Sequence, residues 1–230
     1  STVGILSGIY AATKPGDNIL VARNCHKSVY HAIEVFGLNP IYILPEIDEL
    51  TGSCAEVSYK TVEEILYNYP EIKLILITSP TYEGIITDVR KIVEVAHQKD
   101  IPVMIDEAHG SHLGFGNQFP NNSIQMGADL VVHSLHKTLP SLTQTATIHR
   151  NSNRISKERL QNAISIFETS SPSYLLLASI DGCVELLLSE RESLFSNWRK
   201  SLNVFKNRIR KMQNLVLLEN EIKKNRKVLY

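Results

Sequence analysis

The chain has 230 residues, 43% of them apolar, with 24 Lys+Arg against 24 Asp+Glu and a formal net charge of zero. That length buries a sizeable core as one large domain plus an appendage, and the even charge argues against a phosphate-neutralising surface for nucleic acid. No apolar run approaches the roughly 20 residues of a membrane span, no basic-then-apolar leader is seen, and the three cysteines make neither a metal pattern nor a disulfide framework, so a reducing cytoplasm is the expected compartment.

In chain order, a helical pattern over Val3–Ala12 stops near Lys14-Pro15-Gly16, and "DNILVA" (17–22) reads as a strand. His26–Phe36 is a second helix, ended by Gly37, and "IYIL" (41–44) a second strand. A helix over Thr61–Tyr69 is followed by the strand "LILITS" (74–79), and a helix over Asp88–Gln98 by the strand "VMIDE" (103–107). "LVVHS" (130–134) is a fifth strand and "TQTATIH" (143–149) a sixth. The strands are apolar at nearly every position, as expected where helices cover both faces of a parallel sheet. The expected fold is therefore α/β, an open and mostly parallel sheet with helices on both faces. "ISKERLQNAISIFE" is helical, "SSPS" (170–173) is a break, and a long helix runs on to about Met212. Both ends read as those of a fragment. Residues 1–170 are the expected large domain, and 171–230 a linking helix with the start of a smaller carboxyl-terminal domain.

"IPVMIDEAHGSHLGF" (101–115) contains Asp-Glu-Ala-His, the letters of a helicase magnesium motif. That reading needs a phosphate loop ending in Gly-Lys, and none of the eleven glycines is followed by lysine. In open α/β sheets, ligands bind beyond the carboxyl ends of the strands. There this sequence places Ser79–Gly84, then Asp106–His109, then Ser134–Thr138, with the first helix opening at Ser1-Thr2. Pyridoxal phosphate uses an acid, a lysine and phosphate donors together. Asp106 and Lys137 are one strand–helix–strand unit apart, which aims both at one ring. A zinc hydrolase using Asp106, His109, His112, His133 and His136 has suitable ligand types but no HExxH helix. Ser134-x-x-Lys137 resembles the nucleophile motif of penicillin-recognising enzymes, yet its S-D-N and K-T-G companions are absent.

The motifs "KPGDNILVARNCHKSVYHA", "SPTYEGIITD", "IPVMIDEAHGSHLGF", "GADLVVHSLHKTLPSLTQTA" and "TSSPSYLLLASID" together resemble the fold type I, pyridoxal-phosphate-dependent ornithine/lysine/arginine decarboxylases, over almost the whole chain. The resemblance implies α-decarboxylation of a basic amino acid to a diamine or agmatine by a homodimer or larger homo-oligomer. Another fold type I chemistry such as transamination, or an inactive relic that serves as an interaction partner, is the alternative. It implies Lys137 as the Schiff-base lysine, Asp106 as the partner of the pyridine nitrogen, and His26 stacked on the ring. Ser1, Thr2, Ser134 and His136 are implied for the phosphate, and Ala108 for packing under the ring. Thr81, His109 and His112 are left near cofactor or substrate without a fixed role. Ser171, Ser173 and Tyr174 are left between the chain's own site and a partner's.

Overall fold

A computed structural model describes residues 1–49, 51–116, 119–215 and 217. The elements are α1 (Thr2–Ala12), β1 (Asn18–Ala22), α2 (Lys27–Phe36), β2 (Asn39–Ile43), α3 (Tyr59–Asn68), β3 (Ile72–Thr78), α4 (Val89–His97), β4 (Val103–Asp106), β5 (Leu130–His133), α5 (Leu135–Thr138), β6 (Thr147–Arg150), α6 (Lys157–Phe167) and α7 (Tyr174–Ile209). Six strands form one sheet in the order β2-β1-β3-β4-β5-β6. All neighbours are parallel except the edge pair β5–β6.

The strands are apolar throughout because both faces are covered. Leu20, Ile75, Ile77, Val103, Ile105 and Val131 point to one face, where they meet Val62 and Leu66 of α3 and Ile92 and Ala96 of α4. Their alternates Ile19, Val21, Leu74, Leu76, Met104 and Val132 meet Ile5 and Ile9 of α1, Val29 of α2 and Leu160 of α6. This is the period-two alternation of a strand buried twice. Gly37 closes α2 with φ of 62°, a left-handed conformation that glycine adopts without a Cβ clash.

Two connections differ from the sequence reading. Among the described residues, the crossover from β4 to β5 consists of turns rather than a helix. Glycines at 110, 114, 116 and 127 and Pro120 interrupt it, and Glu107 is fixed within it by Ser123. The sixth strand starts later, at Thr147. The backbone before it is used by α5, since Thr145 O accepts from Leu135 N at 3.1 Å and from His136 Nδ1 at 2.9 Å. The segment expected to open a second domain lies, from residue 218 on, outside the described residues.

α7 has 36 residues but buries only Cys183, Leu187 and Phe195. These pack with Leu113, Phe119, Leu135 and Leu139 into a third cluster, apart from the sheet. No helix among the described residues is long and apolar enough to cross a membrane.

At the amino ends of the strands, fully buried Asp129 ties four segments together. Its Oδ2 accepts from His97 Nε2 at 2.9 Å and from Val103 N at 2.7 Å, and its Oδ1 accepts from the Ser152 hydroxyl with Arg154 Nη1 at 3.7 Å. Replacing it leaves the buried N–H of Val103 without its acceptor and removes the partner of His97, Ser152 and Arg154. Asp129→Ala is therefore expected to lower stability by about 3 kcal/mol, read as a melting temperature roughly 10 °C lower. A change below about 1 kcal/mol would show the cluster to be surface electrostatics only.

Candidate functional site

The carboxyl ends of β1, β3, β4 and β5 open into one cleft of about 760 Å³. The strand order reverses beside β1, which has β2 on one flank and β3 on the other, and such switch points leave a crevice. Of the residues singled out in the sequence, Ser1, His26, Thr81, Asp106, Ala108, His109, His112 and Lys137 line it. Thr2, Ser134 and His136 lie beside it without lining it, and Ser171, Ser173 and Tyr174 are exposed on the approach to α7. Ser173 caps that helix, accepting from Leu176 N at 3.4 Å. The sequence reading missed Asn24, Cys54, Thr78, Phe119, Trp198 and Leu202, all of which line the cleft. Thr78 was within reach, since it ends a strand level with Asp106. Trp198 and Leu202 arrive from α7, and no local pattern announces that contact.

Asp106 is 3% exposed. Its Oδ1 accepts from Ala108 N at 3.1 Å. Burial pushes its pKa up, against the opposing pull of that N–H and of the charges of Lys137, His109 and His26. The following turn is tight. A Cβ on Gly110 would stand 2.7 Å from both Glu107 Cγ and Pro80 Cδ, so glycine lets the β4 turn pack on the β3 turn. That β3 turn closes on itself through Thr81 N to Ile85 O at 2.9 Å and Ile85 N to Thr81 Oγ1 at 3.2 Å.

Lys137 Nζ is 3.0 Å from His109 Nε2. His26 caps α2, its Nδ1 accepting from Ser28 N at 3.2 Å, which leaves Nε2 to carry the ring proton when the imidazole is neutral. His112 is wedged between Phe119 and Trp198, with ring centroids 5.0 and 4.9 Å away. Burial and then the charge of His133 draw its pKa down to about 4. His133 donates to Glu107 Oε2 at 2.7 Å. The five residues considered for zinc are thus spent on different partners, and among the described residues no three His, Cys, Asp or Glu side chains converge as metal ligands.

Among the described residues, six side-chain atoms at this end of the sheet, Asn24 Oδ1, Thr78 Oγ1, His109 Nδ1, His112 Nδ1, Ser134 Oγ and Thr138 Oγ1, are buried without a hydrogen-bond partner. Buried polar atoms are ordinarily satisfied. Three hydroxyls, a lysine and a buried acid in one place fit a ligand with phosphate oxygens, a reactive carbonyl and a basic ring nitrogen, which is the donor set pyridoxal phosphate asks for.

Residues 1–226 match the sequence profile of the major domain of the Orn/Lys/Arg decarboxylases. The chain belongs to the Orn/Lys/Arg decarboxylase family. An uncharacterized protein of Bacillus subtilis, YaaO, is 44% identical over 79% of this chain and 38% of its own length. An arginine decarboxylase of the same organism is 37% identical over 95% of this chain and 44% of its own. The chain thus spans less than half of these relatives. Lysine decarboxylase A from Pseudomonas aeruginosa superposes with a TM-score of 0.78 at 21% identity, over 93% of this chain and 32% of its own, which shows the shared fold.

The raised pKa of Asp106 has a consequence for stability. An acid with a raised folded-state pKa binds its proton more tightly when folded. It stabilises the fold at low pH, and that contribution is lost as pH rises from the unfolded value, near 3.8, through the higher folded value. Deprotonating Asp106 in the cofactor-free protein therefore costs stability. Asp106→Asn, which keeps an oxygen for Ala108 N, is expected to raise the melting temperature of the cofactor-free protein at pH 7, with the gain shrinking toward acid pH. A lower melting temperature at pH 7 would mean that the charge is already compensated.

Proposed function

We propose that the protein is a pyridoxal 5′-phosphate-dependent decarboxylase that converts a basic amino acid into a diamine or agmatine. The observation that carries the proposal is Asp106, buried at the end of β4, in one cleft with Lys137 beside buried hydroxyls that lack partners. Family membership and the arginine decarboxylase name of a 37% identical relative make arginine the first substrate to test, with lysine and ornithine beside it. When bound, pyridoxal phosphate supplies an electron sink conjugated to the substrate's amino nitrogen.

The chain's own residues divide the remaining work. Lys137 provides the amine that anchors the cofactor and is exchanged for the substrate's. Asp106 is the buried acid that holds a proton on the ring nitrogen. Its raised pKa without the cofactor reflects a charge lacking a full partner, which a cationic ring N–H provides. Thr78, Ser134 and Thr138 offer hydroxyls to phosphate oxygens, with Ser1 and Thr2 at the entrance of α1, where helix N–H groups favour anions. His26, fixed through Nδ1, presents the rest of its ring to the cleft, and Ala108 leaves room for a flat group. His136 holds the turn of Lys137 by donating to Thr145 O, so its phosphate role would be indirect. Phe119, Trp198 and neutral His112 form an apolar wall that keeps water from the bond being broken.

The exposed apolar side chains Leu175, Leu188 and Phe205 on α7 support a homodimer or larger homo-oligomer. In such an assembly Ser171, Ser173 and Tyr174 would serve a partner's cleft. The cytoplasm, where free amino acids and the cofactor meet, is the expected compartment. The large domain ends before α7 in this reading.

The test is direct. Borohydride reduction followed by peptide mapping is expected to place the cofactor on Lys137 and to find none in Lys137→Ala. Carbon dioxide and agmatine or diamine should form without a keto acid. Asp106→Asn should retain cofactor yet lose roughly a hundredfold or more in turnover, about 3 kcal/mol. Attachment elsewhere, or a keto acid as main product, would replace this reading with another chemistry.

A further inference from the structure

Lys137 is exposed at the cleft, and its side chain meets an imidazole rather than a carboxylate. Its Nζ lies 3.0 Å from His109 Nε2, although Asp106 lines the same cleft. The pairing is built by two elements. His109 sits in the turn after β4, Lys137 in the short α5 after β5, and the two strands are parallel neighbours. Gly110 and its packing against Pro80 and Glu107 set the path of the first turn. Tyr82 stands edge-on to His109, ring centroids 5.8 Å apart, which limits how far the imidazole can swing. A carboxylate at that position would hold Lys137 as an ammonium. A neutral imidazole offers a lone pair for the proton without a fixed negative charge that holds the ammonium.

Resting on the proposed cofactor reading, we propose that His109 is a proton-transfer partner of Lys137: it takes a proton from Nζ when the lysine bonds to the cofactor carbonyl and gives it back as water leaves. The step balances without an oxidant or reductant. The Lys137 ammonium passes one proton to His109 Nε2, and the freed Nζ lone pair bonds to the carbonyl carbon. A second Nζ proton moves to the former carbonyl oxygen. The His109 imidazolium then protonates that hydroxyl, the C–O electron pair leaves with water, and the nitrogen lone pair completes the double bond to carbon. His109 returns to neutral.

The charge surroundings suit the role. His109 faces Lys137 from α5, Asp106 from β4, and Glu83 with Tyr82 from the turn after β3. Burial and the Lys137 charge lower its pKa, over the opposing influence of Asp106, the Pro80 carbonyl and Glu83. The ring is therefore neutral and able to accept a proton at neutral pH, while Asp106 and Glu83 are placed to stabilise the imidazolium that forms transiently. His26 lines the same cleft but is fixed by Ser28, and His112 is enclosed by Phe119 and Trp198. Of the three cleft-lining imidazoles, His109 is the one in contact with Lys137.

The experiment reads covalent capture, which does not depend on turnover. The full chain, stripped of cofactor, is mixed with pyridoxal 5′-phosphate, quenched with borohydride at successive times, and the modified Lys137 peptide is quantified by mass spectrometry across the histidine titration range. His109→Gln, which keeps a hydrogen-bonding side chain but cannot carry the proton, is expected to slow capture at neutral pH on the order of a hundredfold and to move its pH dependence upward. In His109→Ala, added imidazole should restore the rate in proportion to its free-base form, and rescue of that kind requires a folded site. Unchanged rate and profile in His109→Gln, or no response of His109→Ala to imidazole, would overturn the inference while leaving the cofactor reading in place. Failure of the unsubstituted protein to capture the probe at Lys137 would overturn that reading itself, and this one with it.

Discussion

Asp106 stands at the end of β4, level with Thr78 of β3 and Val132 of β5, where strands on both sides exclude water. A carboxylate there loses most of its hydration, and the N–H of Ala108 replaces only part of it. The rest must come from groups held at the same end of the sheet, the Lys137 amine and two imidazoles, and the surrounding connections are shaped to bring them. The β4 turn returns His109 over the cleft. α5 does the same for Lys137, and α2 begins at His26 rather than farther along. The influence of all three on Asp106 is the electrostatic record of that arrangement. A core carboxylate with so few internal partners costs the fold stability, so its presence here is an argument for chemistry.

The contrast with Asp129 sharpens this. Both acids are buried, Asp106 at the carboxyl end of β4 and Asp129 just before the amino end of β5. Asp129 is saturated by His97, Val103, Ser152 and Arg154, and those contacts tie α4, β4 and the segment after β6 together. At the cleft end, Thr78, Ser134 and Thr138 keep hydroxyls without partners. In the same sheet, then, the acid at the amino ends is satisfied internally, while these hydroxyls at the carboxyl ends are held in reserve. Unspent polar groups cost stability, and a chain keeps them where a ligand repays the cost.

Much of this was legible in the sequence, for physical reasons that can be named. The strands announced themselves because burial on two faces removes polar residues from nearly every position, and Pro15, Gly37 and Pro70 marked helix ends through backbone chemistry that is local. Asp106 and Lys137 were legible because the ends of parallel strands are where ligands bind. The turn-built crossover between β4 and β5 was not, since its course depends on the long-range bond from Ser123 to Glu107. Nor was the wall formed by Trp198 and Leu202, which reach the cleft from α7, far along the chain from His112 and Phe119, the rings that Trp198 meets. Their place follows from α7 docking through Cys183, Leu187 and Phe195, a stripe too sparse to show which surface it would meet.

The histidines show why residue type alone could not settle the site. His97 helps clamp Asp129, His112 fills an apolar wall, and His133 donates to buried Glu107. His136 fixes a backbone carbonyl, and His26 caps a helix. All five spend the ring on holding the protein in shape. A sequence reading that counts imidazoles near the strand ends sees a metal site, because it cannot see what each nitrogen is already bonded to. His109 differs in that its partner, the Lys137 amine, must change protonation state for any bond to a carbonyl to form. A contact between two groups that can each hold the same proton is a poor structural fastener, because its strength changes with the proton's position. On the proposed reading, where the Lys137 amine alternates between charged and free, that same property would let the site serve both states.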